Sequence, residues 1–301
     1  MTALDPGAGA PLGDLPDPGA GGPGETAGPG LARRFLRRPA AVVALGVLGV
    51  LVVLAVIAPF LLASPTEIHA TNKFAEPSFA HLFGTDELGR DLFSRVAHAG
   101  QLSLGFAAGA TVIAMVIGTS WGMLAAARSG WVDEVLMRIA EAALAIPIIL
   151  FALVFVAAFG SDLGAMTLVA GLLMSPLTAR IARSAVLAEL KGEYVHGLAA
   201  VGVSRTRILF SEVLPNALPA LLAQASLNVA TSLMLEATLS FVGLGIQPPQ
   251  ASWGTLLKVG YDRLFESIWY PLMPVLVIVV AIGALNTIGD QLQRVLHRSG
   301  G

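Results

Sequence analysis

Residues 193–215 read Glu-Tyr-Val-His-Gly-Leu-Ala-Ala-Val-Gly-Val-Ser-Arg-Thr-Arg-Ile-Leu-Phe-Ser-Glu-Val-Leu-Pro. This is a charged island in an apolar chain, and its pattern predicts two short helices meeting at a turn. Gly202 can take the left-handed conformation that closes the first helix. Ser204 can cap the free amides of Arg205 to Arg207 and so start the second. Pro215 is expected to stop that helix, because it has no N–H to offer the ladder. Ile208, Leu209 and Val213 supply an apolar face, and Arg205, Arg207 and Glu212 a charged one. Such an element has no reason to enter lipid and suits docking onto a partner. The alternative is an ordinary amphipathic connector between two membrane helices.

Outward from this island the composition is that of a membrane protein. Of 301 residues, 55% are hydrophobic and 13% charged, far from the usage of soluble domains. Runs of about 20 apolar residues suffice to cross a hydrocarbon core. They recur at about 40–63, 102–127, 139–159, 165–185, 218–242 and 271–288. The expected fold is an all-α polytopic membrane protein: six transmembrane helices, with a cytoplasmic helical loop between the fourth and fifth. Residues 1–32 are rich in Gly, Pro and Ala and read as a disordered cytoplasmic tail, too poor in apolar surface to offset its ordering entropy. Residues 33–298 are expected to form the transmembrane domain.

Charge placement sets the expected orientation. Arg33, Arg34, Arg37 and Arg38 precede the first span and hold its amino end inside. A cleaved signal peptide would have a shorter core and a cleaner cleavage site. Of the 18 Lys and Arg, only Lys73, Arg90, Arg95, Lys258 and Arg263 fall outside in this layout. The other thirteen fall inside, which puts both termini in the cytoplasm.

Local signals refine the spans. Thr85 or Asp86 can cap a helix whose apolar stripe is Leu88, Leu92 and Val96. Gly118 and Gly122 form a small-x-x-x-small pair that could admit a neighbouring helix. Gly130 to Arg138 is expected to be a cytoplasmic turn with an interfacial Trp131. Pro147 lies in the middle of the third span and is expected to kink it, for packing or for transport. Pro176 is expected to interrupt the fourth. Glu236 is the one acidic residue deep in a span. It either accepts backbone amides of the irregular segment from Gly243 to Gly254 or lines the pathway and meets a peptide's amino end.

These residues also carry a resemblance. Gly202, followed thirteen residues later by the Pro of Leu214-Pro215, resembles the coupling loop of ABC-importer permeases. Where that loop usually has Glu-Ala-Ala, this chain has His196, Gly197 and Leu198. The run Gly84-Thr85-Asp86-Glu87-Leu88-Gly89-Arg90-Asp91-Leu92-Phe93-Ser94-Arg95 is similar to a signature of the dipeptide, oligopeptide and nickel subfamily. So is Leu235-Glu236-Ala237-Thr238-Leu239-Ser240-Phe241-Val242-Gly243-Leu244-Gly245. Together they cover about residues 35–298 and match the second-permease type.

The resemblance implies a permease subunit in a prokaryotic cytoplasmic membrane, forming half of a pathway for short peptides, or alternatively for nickel chelates. Its implied partners are a homologous second permease, two cytoplasmic ATPases and an extracytoplasmic solute-binding protein, all within or against the lipid bilayer. Glu193, Gly202, Ser204, Arg205, Arg207, Leu214 and Pro215 would then contact an ATPase. No nucleic acid is implied, and ATP and Mg would be bound by the partners, this chain holding no cofactor.

Other classes are less well served. No phosphate-binding Gly-x-x-x-x-Gly-Lys-Ser/Thr loop occurs. The absence of cysteine excludes thiolate chemistry, and the five His are scattered without ligand spacing. A membrane-embedded enzyme would need facing nucleophiles or paired acids, and a lone Glu236 is a poor basis for hydrolysis. A secondary transporter needs few charges, but it has no use for residues 193–215.

Overall fold

Long apolar runs become long helices, because in lipid each backbone polar group must be satisfied within its own segment. The computed structural model describes residues 31–128, 130–247 and 250–297, so the expected tail lies almost wholly outside it. Helices α1 (Leu31–Leu36) and α2 (Pro39–Leu61) are followed by a 3-10 turn at Ala70–Asn72 and an extended loop. Then come α3 (Leu92–Ala127), α4 (Trp131–Leu144), α5 (Ile148–Phe159) and α6 (Leu163–Leu190). Two short helices, α7 (Glu193–Ala200) and α8 (Arg205–Ile208), lead into α9 (Leu214–Phe241). The described chain closes with α10 (Trp253–Asp262) and α11 (Trp269–His297).

Among the described residues five segments are long and apolar enough to cross a membrane: Pro39–Leu61, Leu92–Ala127, Leu163–Leu190, Arg205–Phe241 and Trp269–Val295. The third expected span, 139–159, is instead a pair of helices, α4 and α5, bent by 78°. Their 14 and 12 residues rise only about 21 and 18 Å at 1.5 Å each. Neither alone crosses a core of about 30 Å. Pro147 is the N-cap residue of α5, and it biases the residue before it away from the helical region. Trp131 to Arg138, expected as a turn, is already helical in α4.

Pro176 behaves differently. It is buried inside an unbroken α6, where an interruption was expected. The Ser175 hydroxyl donates to Leu172 O at 2.8 Å, the carbonyl that the missing Pro176 N–H leaves free, so the helix continues.

Helix α3 lies along α6, and small residues set how close they come. A Cβ on Gly118 would sit 2.5 Å from Thr178 Cβ, and one on Gly122 would sit 2.3 Å from Ala179 O. The small-x-x-x-small pair therefore admits α6 directly. Of four apolar clusters among the described residues, three follow the bundle from end to end. Leu92, Val96, Trp253, Leu256 and Tyr270 fill one end. Phe106, Ala110, Met174 and Leu235 lie in a second. Met123, Val186, Val195, Ile208 and Val213 fill the other end.

Candidate functional sites

The 193–215 segment is built as a docked hairpin of helices. Gly202 has φ +85°. Its N–H donates to Ala199 O at 3.1 Å, and that of Val203 to Leu198 O at 3.1 Å, the paired bonds of a Schellman close. Ser204 is the N-cap of α8 and accepts from Arg207 N at 3.4 Å. Val195, Ile208 and Val213 are buried against Met123, Ala126 and Val186. This fixes the hairpin to the ends of α3 and α6. Its other face stands free: His196, Gly197, Val201, Arg205, Arg207 and Phe210 are all exposed, Val201 to 77%.

Tyr194 ties the hairpin down further, donating to Glu189 Oε2 at 2.9 Å and accepting from Asn216 Nδ2 at 3.4 Å. Partial burial first, and the Glu189 carboxylate after it, raise its phenol pKa, so the hydroxyl stays a donor.

Pro215 does not end the second helix. The helix runs from Arg205 to Phe241 through a π-helical turn at Leu209–Val213. Proline in a helix clashes with the carbonyl four residues back, and a widened turn relieves that clash. Leu214 and Pro215 thus form the first turn of α9, and the hairpin is continuous with a membrane span.

At the opposite end, residues 84–95 form a folded knot. Helix α3 starts at Leu92, and its cap is Asp91, which accepts from Ser94 N at 2.8 Å. The sequence favours Thr85 or Asp86 as the cap, but neither serves, and Leu88 lies outside the helix. Asp86, fully buried, accepts instead from Leu88 N at 2.8 Å, Arg90 N at 2.9 Å and Arg90 Nε at 2.6 Å. Arg95 Nη1 completes its shell. Thr85 donates to Asn72 O and accepts from Ala75 N at 2.8 Å. Gly89, at φ +75°, lies where a Cβ would meet His69 O at 1.9 Å. Ser94 donates to Ala63 O at 2.5 Å. Every side-chain polar atom of Asp86 and Thr85 is thus bonded within the loop and the first turn of α3, and both side chains are closed to solvent.

Glu236 is 1% exposed. It accepts hydroxyls, not the backbone amides that one of its two expected roles required: Ser103 Oγ at 3.1 Å and Ser240 Oγ at 2.7 Å. Ser103 accepts in turn from Trp253 N at 3.0 Å, and Ser240 meets Ser252, the N-cap of α10, at 3.4 Å. The carboxylate therefore joins α3, α9 and the start of α10 through serines. Helix α10, which lacked a sequence signal strong enough to be expected, opens with a capping box of Ser252 and Thr255.

Similarity to known proteins agrees with this architecture. The family described as binding-protein-dependent transport system inner membrane component matches residues 118–299. The N-terminal TM domain of oligopeptide transport permease C matches residues 31–77. A protein of Brucella suis biovar 1 named as a peptide transport system permease is 36% identical over 88% of this chain and 90% of its own. The dipeptide transport system permease protein DppC of Alkalihalophilus pseudofirmus is 32% identical over 88% and 87%. In fold, the chain resembles one in an inward-facing MetNI methionine ABC transporter, with a TM-score of 0.53 and 20% identity, covering 64% of this chain and 93% of that one. The family match across the bundle and the near-complete alignment to permeases place the chain among the inner membrane components of binding-protein-dependent transport systems, the ABC-importer permeases.

Proposed function

We propose that the chain is the second permease of an ATP-driven peptide importer, paired with a homologous subunit and fed by an extracytoplasmic binding protein. The 193–215 hairpin is its contact with a cytoplasmic ATPase. What supports this reading is the two-faced build of the hairpin. One face is buried on the ends of α3 and α6, the other is exposed, and its exit is the continuous helix α9. Movement of a docked ATPase would reach the membrane span without passing through a flexible joint. ATP binding then needs only to favour one bundle state over another. Glu193, Gly202, Ser204, Arg205, Arg207, Leu214 and Pro215 belong to this lever. Relatives named for peptide and dipeptide transport favour peptides over nickel chelates as cargo.

The test is reconstitution of this chain with its second permease, ATPases and binding protein in liposomes. Peptide uptake is expected only with ATP and all partners. Uptake by the permease pair alone would defeat the reading.

A further inference from the structure

Midway along α9 stand two amide side chains one turn apart, Gln224 and Asn228, 6% and 2% exposed. Gln224 Nε2 donates to Asn228 Oδ1 at 2.9 Å, and Asn228 Nδ2 donates to Thr178 Oγ1 at 3.0 Å. Burying amides in a membrane bundle costs free energy that leucines would avoid. With Thr231 they line one side of a cavity of about 520 Å³ whose other side is the corner of the broken span, at Ile146, Pro147 and Ile148. Helix α5 opens there without a side-chain cap, and Phe151 is the first of its amides bonded to a backbone carbonyl. No charged side chain lines this space.

We propose that this cavity is the point where the translocated peptide touches the subunit, and that it is held by its backbone. The proposal rests on the peptide-importer reading. Asn228 spends its amide on Thr178 Oγ1 and on Met115 Sδ at 3.7 Å, so it is Gln224, whose Oε1 is outside these bonds, that can pair with a peptide unit irrespective of sequence. The uncapped start of α5 adds main-chain donors, the device by which interrupted helices serve substrates at mid-membrane. Leu173, Leu177 and Leu227 give an apolar wall that tolerates varied side chains. The volume falls within the usual range for small-ligand sites.

The experiment uses the reconstituted complex with dipeptides and tripeptides and their backbone N-methylated counterparts. Gln224→Leu is expected to lower uptake of unmodified peptides about tenfold, the worth of one or two hydrogen bonds. N-methylated peptides, which lack the N–H to be paired, should lose less. As a second measurement, the chain contains no cysteine, so Thr231→Cys offers a single thiol. Peptide present during turnover should slow its labelling by a water-soluble maleimide. Wild-type uptake of all peptides by Gln224→Leu, or thiol labelling indifferent to peptide, overturns the site. A wild-type complex that moves no peptide at all defeats the importer reading instead.

Discussion

A carboxylate at the centre of a membrane helix costs at least about 2.5–3.5 kcal/mol, and Glu236 meets that cost with hydroxyl donors from two elements, Ser103 of α3 and Ser240 of α9. Those hydroxyls also fix α10 over the end of the bundle, through Trp253 N and Ser252. Glu236→Ala would leave Ser103 and Ser240 without their buried acceptor, at about 1–3 kcal/mol for each unpaired group. We expect the Ala variant of the purified subunit to melt several degrees below wild type and to assemble poorly. Glu236→Gln keeps the shape and an acceptor oxygen, so near-normal assembly and uptake are expected. Should the Gln variant assemble well but carry free-amine peptides worse than blocked ones, the carboxylate meets cargo. If Ala and Gln both match wild type, the serine cage holds nothing.

At the scale of elements, the turn between α7 and α8 is the most exacting. Gly202 has φ +85°, and the space a Cβ would occupy there is open, so a substitution meets strain and no clash. Left-handed backbone costs an L-residue about 1–2 kcal/mol, and a β-branched residue tolerates it worst. Gly202→Val is therefore expected to insert normally but to lose binding-protein-stimulated ATP hydrolysis and uptake. Gly202→Asn, which tolerates this conformation better, should retain more of both. Val at wild-type activity would reduce the segment to a connector.

For the whole molecule, the bundle has two distinct ends: the 84–95 knot with α10 at one, the hairpin with the Arg183–Asp133 pair (2.5 Å) at the other. From the charge asymmetry we propose that the first end faces outside and the hairpin end the cytoplasm. Tags inserted after Ser64, Asp162 and Asp262 should react with impermeant reagents added outside, and a tag after Lys191 only after the membrane is opened. Access to Lys191 from outside would invert the topology and remove the hairpin from any cytoplasmic ATPase.

Sequence alone determined that this chain crosses a membrane and roughly where, because apolar run length and helix rise are local quantities. The turn at Gly202 and the cap at Ser204 were legible for the same reason, as each depends on a few consecutive residues. Tertiary structure decided what depends on partners distant along the chain. Pro147 and Pro176 look alike in sequence, yet one corner bends by 78° while the other is healed by the Ser175 hydroxyl. The role of Asp86 passed from helix cap to buried acceptor because Arg90 and Arg95 converge on it. Glu236 found serines on α3 and α9 where backbone amides were expected, since no local pattern announces that Ser103, 133 positions away, lies beside it. The amides of Gln224 and Asn228 carried no signal at all until the broken span was folded against them, because a cavity exists only between elements.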